Sequence, residues 1–139
     1  MNMTEVRDLI SQLFLENWNN AAPVYWQGVA ENQTPNVTTA WARHLIKHGG
    51  SQQTTFGEKS ARRFTRTGII TIQIFTPITT RGGGLGKAEE LAELARDSYE
   101  GINTNTSLSF YGAQTVDVGP NNGWYQINVI INFTYDEVK

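Results

Sequence analysis

The chain contains no cysteine. Disulfides, thiolate nucleophiles and cysteine-based zinc sites are therefore excluded. Histidine is scarce as well, with two residues in 139. Charged residues make up 17%, the net charge is −2, and neither sign forms a long run. An electrostatic hold on nucleic acid is not the leading expectation for such a chain. No apolar run approaches the roughly 18 residues that a membrane span requires. Glu5, Asp8 and Glu16 interrupt the apolar residues between Met1 and Trp18, and no basic start precedes them. That segment lacks the form of a signal peptide. The expectation is a protein made and used in a cytoplasm.

At this length one domain is expected, large enough to bury roughly two-thirds of its unfolded surface in a core without staples. Thr4 is placed to cap a first helix, in which Val6, Leu9, Ile10, Leu13, Phe14 and Trp18 recur at helical spacing. Ala21-Ala22-Pro23 ends it, and Val24 to Val29 reads as a short strand whose Pro23 start suits an edge. Asn32 to Asn36 reads as a loop. Helix and strand compete from Val37 to His48, and Thr38-Thr39 tips the choice to strand. Gly49 to Lys59 has turn formers and no period, and reads as the least structured part, a long loop or hairpin tip.

Arg62 to Pro77 is the longest strand candidate, with Ile70, Ile72 and Ile74 on one face. A second helix spans Gly86 to Tyr99, with Ala88, Leu91, Ala92, Ala95 and Tyr99 as its buried stripe and Gly101 as its stop. Two strands close the chain, about Thr106 to Val118 and Trp124 to Tyr135, joined by a turn at Pro120-Asn121-Asn122-Gly123. In the last strand Tyr125, Ile127, Val129, Ile131, Phe133 and Tyr135 alternate with mostly polar residues. The sum is an α+β single domain: a mostly antiparallel β-sheet packed by two α-helices on one face.

Catalytic and cofactor motifs fail on spacing. A phosphate-binding loop needs Gly, four residues, then Gly-Lys-Ser/Thr. Here Gly86-Lys87 is followed by Ala88, and Arg81 stands where the first glycine belongs. Arg81 to Gly86 therefore reads as a strand-to-helix turn, with at most a weak anion site. His44 and His48 share a face, but a metalloprotease helix would need Glu at position 45, which is Leu. Two histidines without a third ligand make a poor metal site, and solvated or hydrogen-bonded histidines are the better reading. No Gly-x-Ser-x-Gly elbow occurs. The expectation is a protein that is not an enzyme, with no catalytic residues, no cofactor and no metal.

One cluster remains. Lys59, Arg62, Arg63 and Arg66 interleave with Phe56 and Phe64. A solvated start to the long strand is its leading reading, a protein interface the second, and a nucleic-acid backbone site the third. Trp26, Tyr111 and Trp124 are aromatics that serve either a core or an interface.

The order of landmarks resembles the tail terminator (tail completion) proteins of long, non-contractile-tailed phages. An amphipathic helix leads to Pro23-Val24-Tyr25-Trp26. Trp41-Ala42-Arg43, a polar loop, and Arg66-Thr67-Gly68 running into Ile74-Phe75-Thr76-Pro77 follow. A glycine turn from Gly82 to Gly86, a helix and a hairpin from Trp124 complete the match over nearly the whole chain. Each motif is short, and their order carries the weight. The resemblance implies a virion structural protein of the phage neck, assembled in the bacterial cytoplasm. Its partners would be other copies of itself in a ring, typically hexameric, the tail tube protein, and the head–tail connector or stopper. The ring would end tube growth and let DNA through its lumen without sequence-specific binding, with no membrane involved. Phe56, Lys59, Arg62, Arg63 and Arg66 are the expected contributors to the subunit or tube interface. A related neck protein or a tail-tube-like subunit is the alternative within the same resemblance.

Overall fold

The computed structural model describes residues 1–28, 39–79 and 84–139. Along the chain the elements are α1 (Met3–Trp18), β1 (Val24–Trp26), β2 (Trp41–Gln53), β3 (Arg63–Pro77), α2 (Leu85–Asp97), β4 (Ser109–Asn121) and β5 (Trp124–Val138). The strands form one sheet in the order β1-β2-β3-β5-β4. Every pairing is antiparallel except β1 with β2. The fold is α+β, as the periodicities predict.

Register explains the core. Ala42, His44 and Ile46 of β2 lie opposite Ile74, Ile72 and Ile70 of β3. These in turn lie opposite Ile127, Val129 and Ile131 of β5. All are buried, and they join Val6, Ile10, Phe14 and Trp18 of α1 and Ala88, Leu91, Ala92 and Ala95 of α2 in one cluster. Both helices therefore cover the same face of the sheet. The small residues of α2 let that helix sit close to the isoleucine ladder. On the opposite face Leu45, Thr71, Gln73, Asn128, Ile130 and Asn132 are only partly buried, and no element among the described residues covers them.

Gly68 has a specific reason to be glycine. A Cβ there would lie 2.2 Å from Cζ of Phe133, whose ring crosses the backbone at that point. The glycine of Arg66-Thr67-Gly68 is thus a packing requirement of the cross-strand pair Gly68–Phe133.

Several boundaries differ from the sequence expectation. Asn2, not Thr4, caps α1. Its side chain accepts from the Glu5 amide at 2.9 Å while the Glu5 carboxylate accepts from the Asn2 amide at 3.2 Å. This reciprocal box satisfies two otherwise orphaned donors. β2 continues five residues beyond His48, so Gly49 to Gln53 is strand and not loop. A register shift between His48 and Ser51 absorbs Gly49-Gly50 as a bulge, which is why the period is lost there. The final turn is tighter than the Pro120–Gly123 expectation: only Asn122 and Gly123, at φ 51° and 84°, lie between β4 and β5. Two successive positive φ values match the right-handed twist of a two-residue hairpin. β5 runs on past Tyr135 to Val138. Val29, the Asn32–Asn36 loop, the Val37–Thr38 start proposed for β2, and Arg81 to Gly83 lie outside the described residues.

Candidate assembly surface

The far ends of β2, β3 and β5 extend as a three-stranded arm. Ser51, Gln52 and Gln53 pair with Arg66, Thr65 and Phe64. Arg63 to Arg66 pair on their other side with Val138 to Tyr135. The tip is closed by the Thr54 amide donating to the Arg63 carbonyl at 2.8 Å, and by the Arg63 amide donating to Thr55 Oγ1 at 2.8 Å. Ser60, at φ 79°, and the Ala61 amide, donating to the Glu58 carbonyl at 2.9 Å, turn the chain back. Threonine hydroxyls thus hold a tip that has no hydrophobic core of its own.

The five residues predicted for an interface divide into two groups. Phe56 is 97% exposed at the tip, and Lys59 is exposed beside it. Arg62, Arg63 and Arg66 instead lean on the last residues of β5. Arg66 Nε donates to Glu137 Oε1 at 2.9 Å, with the two side chains 26% and 23% exposed. Its guanidinium also lies 5.7 Å from the Phe64 ring centroid. Arg63 Nε stands 3.8 Å from Asp136 Oδ2, and Thr65 donates to the other oxygen of that carboxylate at 2.8 Å. Arg62 Nε donates to the Lys139 carbonyl, and the Lys139 amide returns a bond to the Arg62 carbonyl. The basic cluster is therefore partly neutralised within its own chain. Sequence reasoning missed Asp136 and Glu137 because it ended β5 at Tyr135. The opposite charges were visible, but only the register places them across from the arginines.

The other end of the same sheet carries a second feature, in which Trp124, one of the aromatics the sequence offers to a core or an interface, meets two rings that sequence reasoning did not join to it. Trp41 and Phe75 stack at 4.1 Å and 12°, and Trp124 meets Trp41 edge-on at 6.0 Å. Tyr25 meets Trp41 edge-on from β1 at 5.6 Å. Arg43 lies 5.3 Å from the Trp41 ring centroid. Trp41, Arg43, Phe75, Asn121, Asn122 and Trp124 line a cleft of about 220 Å³. The Trp41 indole N–H is buried without a hydrogen-bond acceptor among the described residues. Alternation could have flagged this cluster: Trp41, Phe75 and Trp124 are large aromatics on the face opposite the isoleucine ladder.

The two histidines share the covered face of β2, as their spacing predicts, but not an environment. His44 is 1% exposed. Its Nε2 lies 2.9 Å from the Tyr99 hydroxyl, which itself donates to the Ile10 carbonyl at 2.9 Å. Since the hydroxyl has one hydrogen, His44 Nε2 carries the proton of the first bond. Burial, with a smaller contribution from Arg7, lowers the His44 pKa from 6.5 to about 3. It is a neutral core residue tying α1 and α2 to the sheet. His48 is half-buried and packs edge-on against Phe133 at 6.0 Å. No group of three or more His, Asp or Glu among the described residues is placed to hold a metal ion. No helix among them is long and apolar enough to cross a membrane. In the glycine turn, Gly84 sits at φ 81° against Thr76, whose hydroxyl donates to the Gly84 carbonyl at 2.8 Å. A Cβ there would lie 2.7 Å from Thr76 Oγ1, so the described end of that turn is scaffold.

No protein-family model matches the chain, and no curated protein matches it. A solved structure whose name states no function has a TM-score of 0.62 at 14% identity, over 93% of this chain and 94% of that chain. At that identity the likeness shows the fold alone.

Proposed function

We propose that this chain is a phage tail terminator: a subunit of a ring that caps the head-proximal end of a tail tube, ends its polymerisation and joins the tail to the head connector. The role is structural, not catalytic. The observation that carries the reading is that the strand landmarks of the resemblance all fall in one continuous sheet. Val24 to Trp26, after Pro23, forms the parallel edge strand β1, and Trp41 opens β2. Arg66-Thr67-Gly68 marks where the arm ends and the core begins, and Phe75-Thr76-Pro77 ends β3. Beyond this scaffold the molecule presents an arm with an exposed aromatic tip, a feature suited to subunit or tube contact. The uncovered sheet face mixes polar Gln73, Asn128 and Asn132 with apolar Leu45 and Ile130, and these residues carry no charge. Such a surface suits a lumen through which DNA must slide and not be held.

The test is the mass of the purified protein in solution, alone and with growing tail tubes, together with negative-stain images. Closed rings on tube ends, with tube growth arrested, are the expected result. Open filaments of this chain would replace the terminator reading with that of a tube-like subunit. A monomer that leaves tube length unchanged would overturn the reading.

A further inference from the structure

We infer that copies of this chain join head to tail, with the Phe56 tip of one arm seated in the Trp41–Phe75–Trp124 cleft of the next copy. The inference rests on the self-association in the proposed function and specifies the contact that makes it.

Three observations lead there. First, the two features lie at opposite ends of one sheet. β3 enters the arm at Arg63 and Phe64 and reaches the cleft at Phe75. The eleven steps from Phe64 to Phe75 cover roughly 35 Å of strand. An arm tip that points away from the cleft across this distance cannot fill the cleft of its own chain. Second, the sizes agree. The cleft of about 220 Å³ is smaller than the roughly 300 Å³ at which drug-sized ligand pockets begin, and is of the order of one aromatic side chain. Its walls are an indole–phenyl stack with a second indole edge-on, and a further ring extends that geometry favourably. Third, the charges agree. Glu58 follows Phe56 by two residues on the exposed tip, and Arg43 lines the cleft. A carboxylate meeting a guanidinium at the rim of an aromatic socket favours one orientation.

Such a contact uses two different surfaces, so each copy retains one free tip and one free cleft. Heterologous contacts of this kind close into a ring when the rotation per copy permits and otherwise run on as a filament.

The absence of cysteine makes the test clean. The double variant Gly57→Cys, Asn121→Cys, which keeps the Phe56 ring and whose added Cβ at position 57 meets nothing nearer than 3.6 Å, is expected on oxidation to yield a ladder of covalent multimers. A control pairing Gly57→Cys with Glu16→Cys, on the exposed side of α1, is expected to yield none beyond the dimer. Phe56→Ala is expected to weaken self-association by about tenfold or more, the loss typical of an aromatic anchor. Because Phe56 is almost fully exposed, this variant should keep the wild-type melting temperature. Asn121→Arg, at the exposed rim, should block the socket and leave its floor intact. Mixing Phe56→Ala with Asn121→Arg should give heterodimers and nothing larger, since only one competent tip and one competent cleft remain.

Multimers that persist in Phe56→Ala, with no ladder from the double cysteine variant, would overturn this contact and leave the terminator reading standing. A ladder from a protein that never caps tubes would support the contact and overturn the terminator reading. A monomer under every condition, with no ladder, would overturn both.

Discussion

The two halves of β3 share one hydrogen-bonded ladder and are held by different forces. From Gly68 to Thr76 the strand is wedged between β2 and β5 under two helices, and Ile70, Ile72 and Ile74 are fully buried. From Arg63 to Thr67 the same pairing continues, but the side chains are partly or fully exposed and are tied by hydroxyls and ion pairs. Apolar burial stabilises the first half in proportion to area removed from water. The second half gains only the small net value of exposed polar contacts. One strand thus serves as the spine of the core and as the stalk of an arm. The arm is free to change residues that the core could not tolerate.

The sharpest break in this comparison lies at Ile72. Ile72→Ala removes buried methyl groups at the centre of the sheet and leaves a cavity, at a cost of about 2–5 kcal/mol. Urea denaturation should show a lower midpoint at an unchanged slope. A loss below 1 kcal/mol would mean that the two helices collapse onto the gap and the core is less tightly set than it looks.

Acid should weaken the core through His44. His44 binds a proton near pH 6.5 when unfolded, but only at about pH 3 in the fold, because burial disfavours its charged form. The unfolded state therefore holds more protons between those values, and stability falls as pH drops through that window. The slope should approach about 1.4 kcal/mol per pH unit, and the contribution of His44 is complete above about pH 6.5. Midpoints of urea unfolding from pH 7.5 to pH 4 check this. His44→Gln should flatten the curve over that range, and an unchanged pH dependence would show that another group titrates.

The smallest effect belongs to the arm. Glu137→Gln removes the Arg66 ion pair from side chains about a quarter exposed, and should cost no more than about 1 kcal/mol. Added salt should reduce even that difference. A much larger loss would mean that the arm is part of the cooperative core, which would erase the distinction between the two halves of β3.

Legibility followed the same division. The isoleucine alternation of β3 and the long alternating pattern of β5 are direct marks of half-buried strands, and α2's alanine and leucine stripe marks the face it buries. Those residues were placed correctly because burial imposes a period on the chain. Gly49 to Gln53 was misread as loop because the bulge breaks the period and neither face is buried. Thr4 is the cap the sequence suggests, but the helix already begins at Met3, and the bond from the Glu5 amide makes Asn2 the cap.

For the candidate surface the sequence shows which residues stand out from the periodic core, but not what they pair with. Phe56 and Lys59 were named from a stretch without period, and both are exposed. That Arg63 and Arg66 spend their charge on Asp136 and Glu137 could not be read, because the partners lie some seventy residues away and meet only through the β3–β5 register. Alternation puts Trp41, Phe75 and Trp124 on the face opposite the isoleucine ladder, but only the register of three strands brings them into one cleft.

By itself the amino-acid sequence determined the fold class and the core face of the sheet, because apolar periodicity is local and burial enforces it. It also determined the absence of thiol chemistry, because composition alone settles that. Tertiary structure decided which charges the arm pairs within its own chain, and that the arm and the aromatic cleft lie at opposite ends of the sheet. Register and strand order set those distances, and they emerge only when distant segments pair.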